Sequence, residues 1–353
     1  MTRLNTRWSG RLLPALVSVA LTMAPAKAGN FDLSSFVLAG GGGTSSDGAS
    51  LTLEATIGQT AAGTTLSSGQ FSMQLGFSAV APGTLGNIST RLRVGTDQNV
   101  LIAGFIIQGS VPKKVVIRAA GPSLTQFGVQ GALANPQLEL HDAANTIGRN
   151  DDWQTTEVGG VIQSDQASDI QNSGFAPRDA TECAIIATLP PGSYTAIVQG
   201  VNAGTGVGIV EVYDLSPNNG ALPANISTRG LIETDDNVMI GGFIVVTQPT
   251  KVLIRATGPS LKAFGVSNAL SNPQLELHDA KGTIARNDDW QTTQIGGVIT
   301  GDQFVAIRDS GLAPSDGAES AIIATLAPGS YTAIAQGVNG ATGVGLVEVY
   351  TLK

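Results

Sequence analysis

The sequence predicts an all-β chain made of two tandem β-sandwich domains of Ig-like or jelly-roll type, preceded by a small glycine-rich β segment. Three observations carry this reading. A unit of domain size occurs twice, apolar runs of strand length alternate with turn signals inside each copy, and no stretch sustains a helical period. Glycine at 45 residues and charged residues at only 13% fit short strands joined by tight turns.

The duplication is read directly from the residues. Asn87-Ile88-Ser89-Thr90-Arg91 returns as Asn225-Ile226-Ser227-Thr228-Arg229, and Asn150-Asp151-Asp152-Trp153 returns as Asn287-Asp288-Asp289-Trp290. The offsets are 225 − 87 = 138 and 290 − 153 = 137, so a one-residue deletion near Val111 separates the copies. The period is too long for a solenoid, and each copy is expected to close its own core.

Within the first copy, strands are expected at Val100 to Ile107, Val115 to Arg118, Gln137 to His141, Ala184 to Thr188, Tyr194 to Gln199 and Gly208 to Tyr213. Gln137 to His141 alternates apolar with polar, and Asp142-Ala143-Ala144-Asn145 then offers a turn before Thr146-Ile147, which reads as a hairpin. Gln166 to Gln171 is polar and reads equally as a short helix or a loop. Pro191-Gly192-Ser193-Tyr194 and Pro328-Gly329-Ser330-Tyr331 set a tyrosine after a turn, the arrangement in which the hydroxyl bonds back to the turn backbone.

The N-terminus reads as an export signal. Arg3, Arg7 and Arg11 form a basic region, Leu12 to Met23 an apolar stretch, and Ala26-Lys27-Ala28 a small-residue cleavage site. No later segment approaches the length of a transmembrane span. The expected organisation is a signal peptide at 1–28, a glycine-rich β leader at 29–84, a first repeat at 85–216 and a second at 217–353. The product is expected outside the cell or at its surface, with the periplasm as an alternative.

Charge narrows the partners. The chain carries −8, and removing Arg3, Arg7, Arg11 and Lys27 with the signal takes 19 basic residues to 15 against 27 acidic ones, or −12. That sign repels phosphate backbones and anionic lipid, so no nucleic-acid partner is expected. The single cysteine, Cys183, cannot form an internal disulfide and occupies the position of Ser320 in the other copy.

The stretch from Leu138-Glu139-Leu140-His141-Asp142 through Asn150-Asp151-Asp152 to Pro191-Gly192-Ser193-Tyr194-Thr195 and Gly206-Val207-Gly208 resembles the bacterial pre-peptidase C-terminal domain, and the pattern recurs from Leu275 to Val349. The resemblance implies a non-catalytic β-sandwich with an accessory or binding role. It covers the later part of each copy.

Chemistry-bearing residues are few. Gly121-Pro122-Ser123-Leu124-Thr125 and Gly258-Pro259-Ser260-Leu261-Lys262 lack the final glycine of a nucleophile elbow. His141 and His278 are each followed by an aspartate that an extended strand would point to the opposite face. Glu139 and His141 share a face, as the start of a ligand or acid-base pair or as the polar side of a hairpin. Asp151 and Asp152, with Asp288 and Asp289, offer hard oxygen ligands in loops that suit calcium, although neither loop matches an EF-hand. Turn formation by the same residues is the alternative. Trp153 and Trp290 follow these carboxylates, as sugar-stacking platforms or as core.

The expected function is a non-catalytic extracellular or cell-surface binding or adhesion module, calcium-stabilised, recognising a polysaccharide, a cell-envelope component or a protein. Two other classes stay open: a secreted hydrolase of glycans or esters using Glu139, His141 or Glu211, and a structural surface protein assembling through strand edges.

Overall fold

The structure, a computed structural model, describes backbone at 43–46, 52–55, 64–68 and 71–75, and residues 85–216, 222–246 and 248–352. The expected signal peptide lies outside the described residues. The chain divides into two compact units, Met1–Ala81 and Pro82–Lys353. In the first, β1 (Gly43–Ser46) pairs antiparallel with β2 (Thr52–Ala55), and β3 (Thr64–Ser68) with β4 (Phe71–Leu75).

The second unit holds both copies. The first copy supplies β5 (Leu85–Val94), β6 (Leu101–Gln108), β7 (Lys113–Ala120), β8 (Pro136–His141), β9 (Thr146–Asn150), the short helix α1 (Ala167–Asn172), β10 (Cys183–Leu189), β11 (Gly192–Gly200) and β12 (Gly206–Asp214). The second supplies β13 (Leu222–Ile232), β14 (Met239–Val245), β15 (Thr250–Thr257), β16 (Pro273–Asp279), β17 (Gly282–Asn287), helix α2 (Phe304–Asp309), β18 (Ser320–Leu326), β19 (Gly329–Gly337) and β20 (Gly343–Thr351). The fold is all-β, and the 16 strands of this unit, β5 to β20, are joined in one hydrogen-bonded network.

The connectivity interleaves the copies. One run of strands follows the order β10-β7-β12-β5-β14-β19-β16-β17, and its counterpart follows β18-β15-β20-β13-β6-β11-β8-β9. The first strand of each copy is therefore bonded on one edge to its own copy and on the other edge to its neighbour. β5 pairs with β12 through Val212↔Ile88 and with β14 through Phe243↔Ile88. The two runs touch where Leu231 lies opposite Arg93.

Each copy was expected to close its own core, and here the structure differs. One buried cluster runs through Leu92, Phe105 and Ile117 of the first copy and Ile226, Phe243 and Ile254 of the second. The physical reason is the pairing capacity of a strand. β6 and β14 each have two edges, β11 or β19 fills one of them, and the remaining edge needs a partner that only the other copy's first strand supplies. β5 has the pattern for that place: Ile88, Thr90, Leu92 and Val94 are buried and alternate with half-buried Asn87, Ser89, Arg91 and Arg93.

Local packing follows the sequence signals. Phe105 stacks on Tyr194 and Phe243 on Tyr331, each at 5.7 Å between ring centroids. Tyr194 Oη donates to Pro190 O at 2.8 Å and Tyr331 Oη to Ala327 O at 2.9 Å, fixing both turns. Burial of each phenylalanine contributes about 1.5–3 kcal/mol. Gly230 of the second copy packs against Leu92 of the first with no room for a side chain, since a Cβ there would lie 2.0 Å from Leu92 Cδ2.

Candidate functional site

The connection between β9 and β10 carries most of the residues singled out from the sequence, and it folds over the outer face of β7, β10 and β12. Its anchors are local and polar. Asn150 is buried at the end of β9, where its Nδ2 donates to Asp152 O and Thr155 O at 3.1 Å and its Oδ1 accepts from Ala184 N at 2.9 Å. Helix α1 follows from Thr156 and Asp165. Thr156 Oγ1 donates to Asp165 Oδ1, which also accepts from Ala167 N, and the Thr156 hydroxyl accepts from Gln166 N. These bonds, the Thr156 hydroxyl first, hold the Asp165 carboxyl below its ordinary pKa. Gln166 then bonds both backbone groups of Ile186, which covers the open edge of β10.

Trp153 closes this layer. Its backbone N–H donates to Glu182 O at 2.8 Å and its indole N–H to Asp179 O at 3.1 Å, while the ring packs with Val116, Ile170, Ala184 and Ile186. Trp290 is held in the same way by Glu319 O and Asp316 O. The indoles are 6% and 8% exposed, so both rings mainly fill a satellite core.

The copies differ in what stands beside that ring. In the second copy Phe304 opens α2 and stacks on Trp290 at 5.5 Å, with Arg308 over the phenylalanine ring. The equivalent of Phe304 in the first copy is Ala167. There the surface dips into an open hollow of ≈ 410 Å³, lined by Trp153, Gln154, Ala167, Ser168, Gln171 and Asn172. Its rim is polar and uncharged.

The acidic pairs lie just before the tryptophans. Asp151 Oδ1, Asp152 Oδ1 and Asp288 Oδ1 are buried atoms without a hydrogen-bond partner. Burial, and secondarily the neighbouring Asp151 carboxylate, raises the pKa of Asp152; burial and then Asp289 raise that of Asp288. Among the described residues, no group of three or more His, Cys, Asp or Glu side chains is placed to hold a metal ion. Any cation at these pairs would need further oxygens from amides, backbone or water.

His141 lies on the β8–β9 hairpin, where its Nε2 is 2.9 Å from Glu139 Oε2 and Arg149 pairs with the other carboxylate oxygen. His278, Glu276 and Arg286 repeat the arrangement. Asp142 does not orient the histidine. It accepts from Ala144 N and Asn145 N within the turn, bonds that lower its pKa. The hairpin residues and the tryptophan layer therefore form separate features.

Two structural carboxylates escaped the sequence reading. Glu182 is fully buried, and its Oε1 accepts from Gly121 N at 3.0 Å and Ser123 N at 2.9 Å while Oε2 accepts from Asp179 N. Glu319 grips Gly258 and Ser260 in the same way and also accepts from Ser260 Oγ at 2.6 Å. The Gly-Pro-Ser turns are thus seats for a buried carboxylate. The available signal was an acidic residue kept in both copies directly before an apolar strand. Glu211, the other candidate acid, is held by Arg118 and Tyr213. Cys183 is buried, which pushes its thiol well above the ordinary pKa.

No protein-family model matches the chain, and no curated protein matches it. Among solved structures, PNGF-II in two crystal forms aligns at 10% identity with a TM-score of 0.19, covering 78% and 79% of this chain. The chain spans 63% of the length of those structures.

Proposed function

We propose that this chain is a non-catalytic binding module acting outside the cell or at its surface, and that it recognises a polysaccharide, a cell-envelope component or a protein. The observation that carries the reading is the open hollow beside the buried Trp153, where Gln154, Ser168, Gln171 and Asn172 present neutral hydrogen-bonding side chains. Residues with catalytic potential are engaged structurally: Glu182 by three backbone N–H groups, Glu211 by Arg118 and Tyr213. The similarity of turn and strand motifs in the later part of each copy to the pre-peptidase C-terminal domain favours the same reading. Calcium belongs to the proposal as a stabilising ion at Asp151 and Asp152 and at Asp288 and Asp289, since the three unpartnered carboxylate oxygens fit a cation's need for oxygen donors.

A pull-down of the purified protein on insoluble polysaccharides and cell-envelope preparations, run beside a screen for released sugars and hydrolysed esters, tests it. Saturable retention without product release is expected. Turnover abolished by Glu139→Gln or Glu276→Gln would instead make the chain a hydrolase.

A further inference from the structure

We propose that the contact between β5 and β13 is a partner-selecting interface, in which a first copy accepts a second copy and rejects another first copy, and that the same interface joins two molecules of this chain by exchange of copies. Three contacts lie on the approximate two-fold relation between the copies, because each joins a position to its own counterpart. They are Thr90 with Thr228, Leu92 with Gly230 and Arg93 with Leu231. The separation is 138 residues in each case (228 − 90, 230 − 92 and 231 − 93), which is the repeat offset. In a dimer of identical halves each of these positions would meet itself. The first contact keeps that form, threonine against threonine, and the other two have diverged.

The divergence is complementary in volume. Leu92 is buried, and Gly230 leaves it the space a side chain would take, since a Cβ on Gly230 would lie 2.0 Å from Leu92 Cδ2 and 3.3 Å from Leu92 Cγ. Glycine inside a strand weakens it, and the close approach of Leu92 is what requires it in β13. Two first copies would set leucine against leucine in a space that holds one. Two second copies would set glycine against glycine around a void. Only the mixed pair fills the volume.

Charge selects in the same direction. Arg93 pairs with Glu233 at 3.5 Å, and the counterpart of Glu233 in the first copy is Gly95. Two first copies would therefore oppose Arg93 to Arg93 with no carboxylate between them. Two second copies would leave Glu233 without its cation.

The selection acts on copies, whichever chain they belong to. Within one molecule the five-residue connection between Ser216 and Leu222 holds the partner close, and the resulting effective concentration favours closure. Between two molecules the first copy of each fits the second copy of the other through the same contacts, which gives a closed reciprocal dimer. Pairing of like with like would instead run chain into chain as an open polymer, and Leu92 and Arg93 oppose it.

The test uses two full-length variants. Gly230→Leu carries leucine at both positions and Leu92→Gly carries glycine at both, so neither has a matched pair within itself. Each should melt below the unaltered protein, Gly230→Leu by the larger shift. Refolded from an equimolar unfolded mixture, the two should form a 1:1 dimer at least about tenfold more abundant than the dimer from either variant alone, read by size exclusion with light scattering and mass spectrometry. If Gly230→Leu does not fold by itself, recovery of its soluble product by the Leu92→Gly chain is the same positive result. Leu92→Gly combined with Gly230→Leu in one chain moves the leucine to the other strand and should return most of the melting midpoint lost by Gly230→Leu. Arg93→Glu, at the half-exposed pair, should lower the midpoint, and adding Glu233→Arg should restore it. An unshifted midpoint in Gly230→Leu overturns the selection by volume, and strictly additive effects of the two charge changes overturn the part given to Arg93. A mixture with no more dimer than the single variants overturns the exchange between chains.

Discussion

Thr90 and Thr228 occupy the same position of the two copies, and their hydroxyls meet at 2.8 Å where both residues are buried. Their separation of 138 residues equals the repeat offset, so the bond lies on the approximate two-fold relation between the copies. Around it, Arg93 pairs with Glu233 at 3.5 Å and Asn268 Nδ2 donates to Asn99 Oδ1 at 3.0 Å, both across the copies. The arrangement is that of a symmetric dimer contained in one chain, in which each half lends its first strand to the other.

Thr90→Val should therefore cost about 1–2 kcal/mol, because it leaves the Thr228 hydroxyl buried without its partner. Thr228→Val should cost a similar amount. The double variant removes both polar groups at nearly constant volume and should recover most of the loss. Denaturant unfolding of the four proteins measures the coupling; strictly additive single effects would show that the hydroxyls do not depend on each other.

A second expectation separates a carboxylate seat from a nucleophile. Glu182→Ala leaves backbone donors of Gly121, Ser123 and Asp179 unpaired and should destabilise by about 3 kcal/mol or more. Ser123→Ala should be nearly silent, since Glu182 uses only its backbone N–H. Ser260→Ala should cost about 1 kcal/mol, because Ser260 Oγ also donates to Glu319. Thermal unfolding of the three variants checks the ordering, and an equal response of the two serines would count against it.

The strands were legible because their signal is local. Alternation in β8 and the apolar run of β6 place side chains without reference to the rest of the chain. The tyrosine turns were legible for the same reason. The exchange of β5 and β13 was not, because a strand's pattern states which face is buried and is silent about which neighbour takes each edge. At the candidate site, the tryptophans and acidic pairs were found by their repetition. The hollow itself depends on Ala167, whose meaning appears only when Phe304 is seen stacked on Trp290.

The tyrosine corners give a third expectation. Tyr194→Phe and Tyr331→Phe each remove one hydroxyl bonded to a turn carbonyl and keep the stacked ring, so each should lower stability by about 1 kcal/mol. An unchanged melting midpoint in both variants would mean that water replaces the hydroxyl at no cost.

The acidic loop gives the last expectation, in which pH and calcium act on one group. Burial, and secondarily the Asp151 carboxylate, raise the pKa of Asp152 above that of an ordinary aspartate. A carboxyl with a raised folded pKa binds more protons in the folded state than in the unfolded state. Its ionisation therefore removes stability as pH rises from the unfolded value through the folded one. In metal-stripped protein, Asp152→Asn should raise the melting midpoint at neutral pH, and the gain should fade below about pH 4, where the Asp152 carboxyl is protonated and position 152 is uncharged in both proteins. Calcium should offset the same penalty in the unaltered protein, stabilising it by about 2.7 kcal/mol at a hundredfold excess over the dissociation constant. Asp152→Asn should lose the first copy's share of that response, while Asp288 and Asp289 keep theirs because distant sites act independently. Calorimetry with calcium and with magnesium at equal ionic strength reads the outcome, and equal responses to the two ions would reduce the effect to screening and remove calcium from the site.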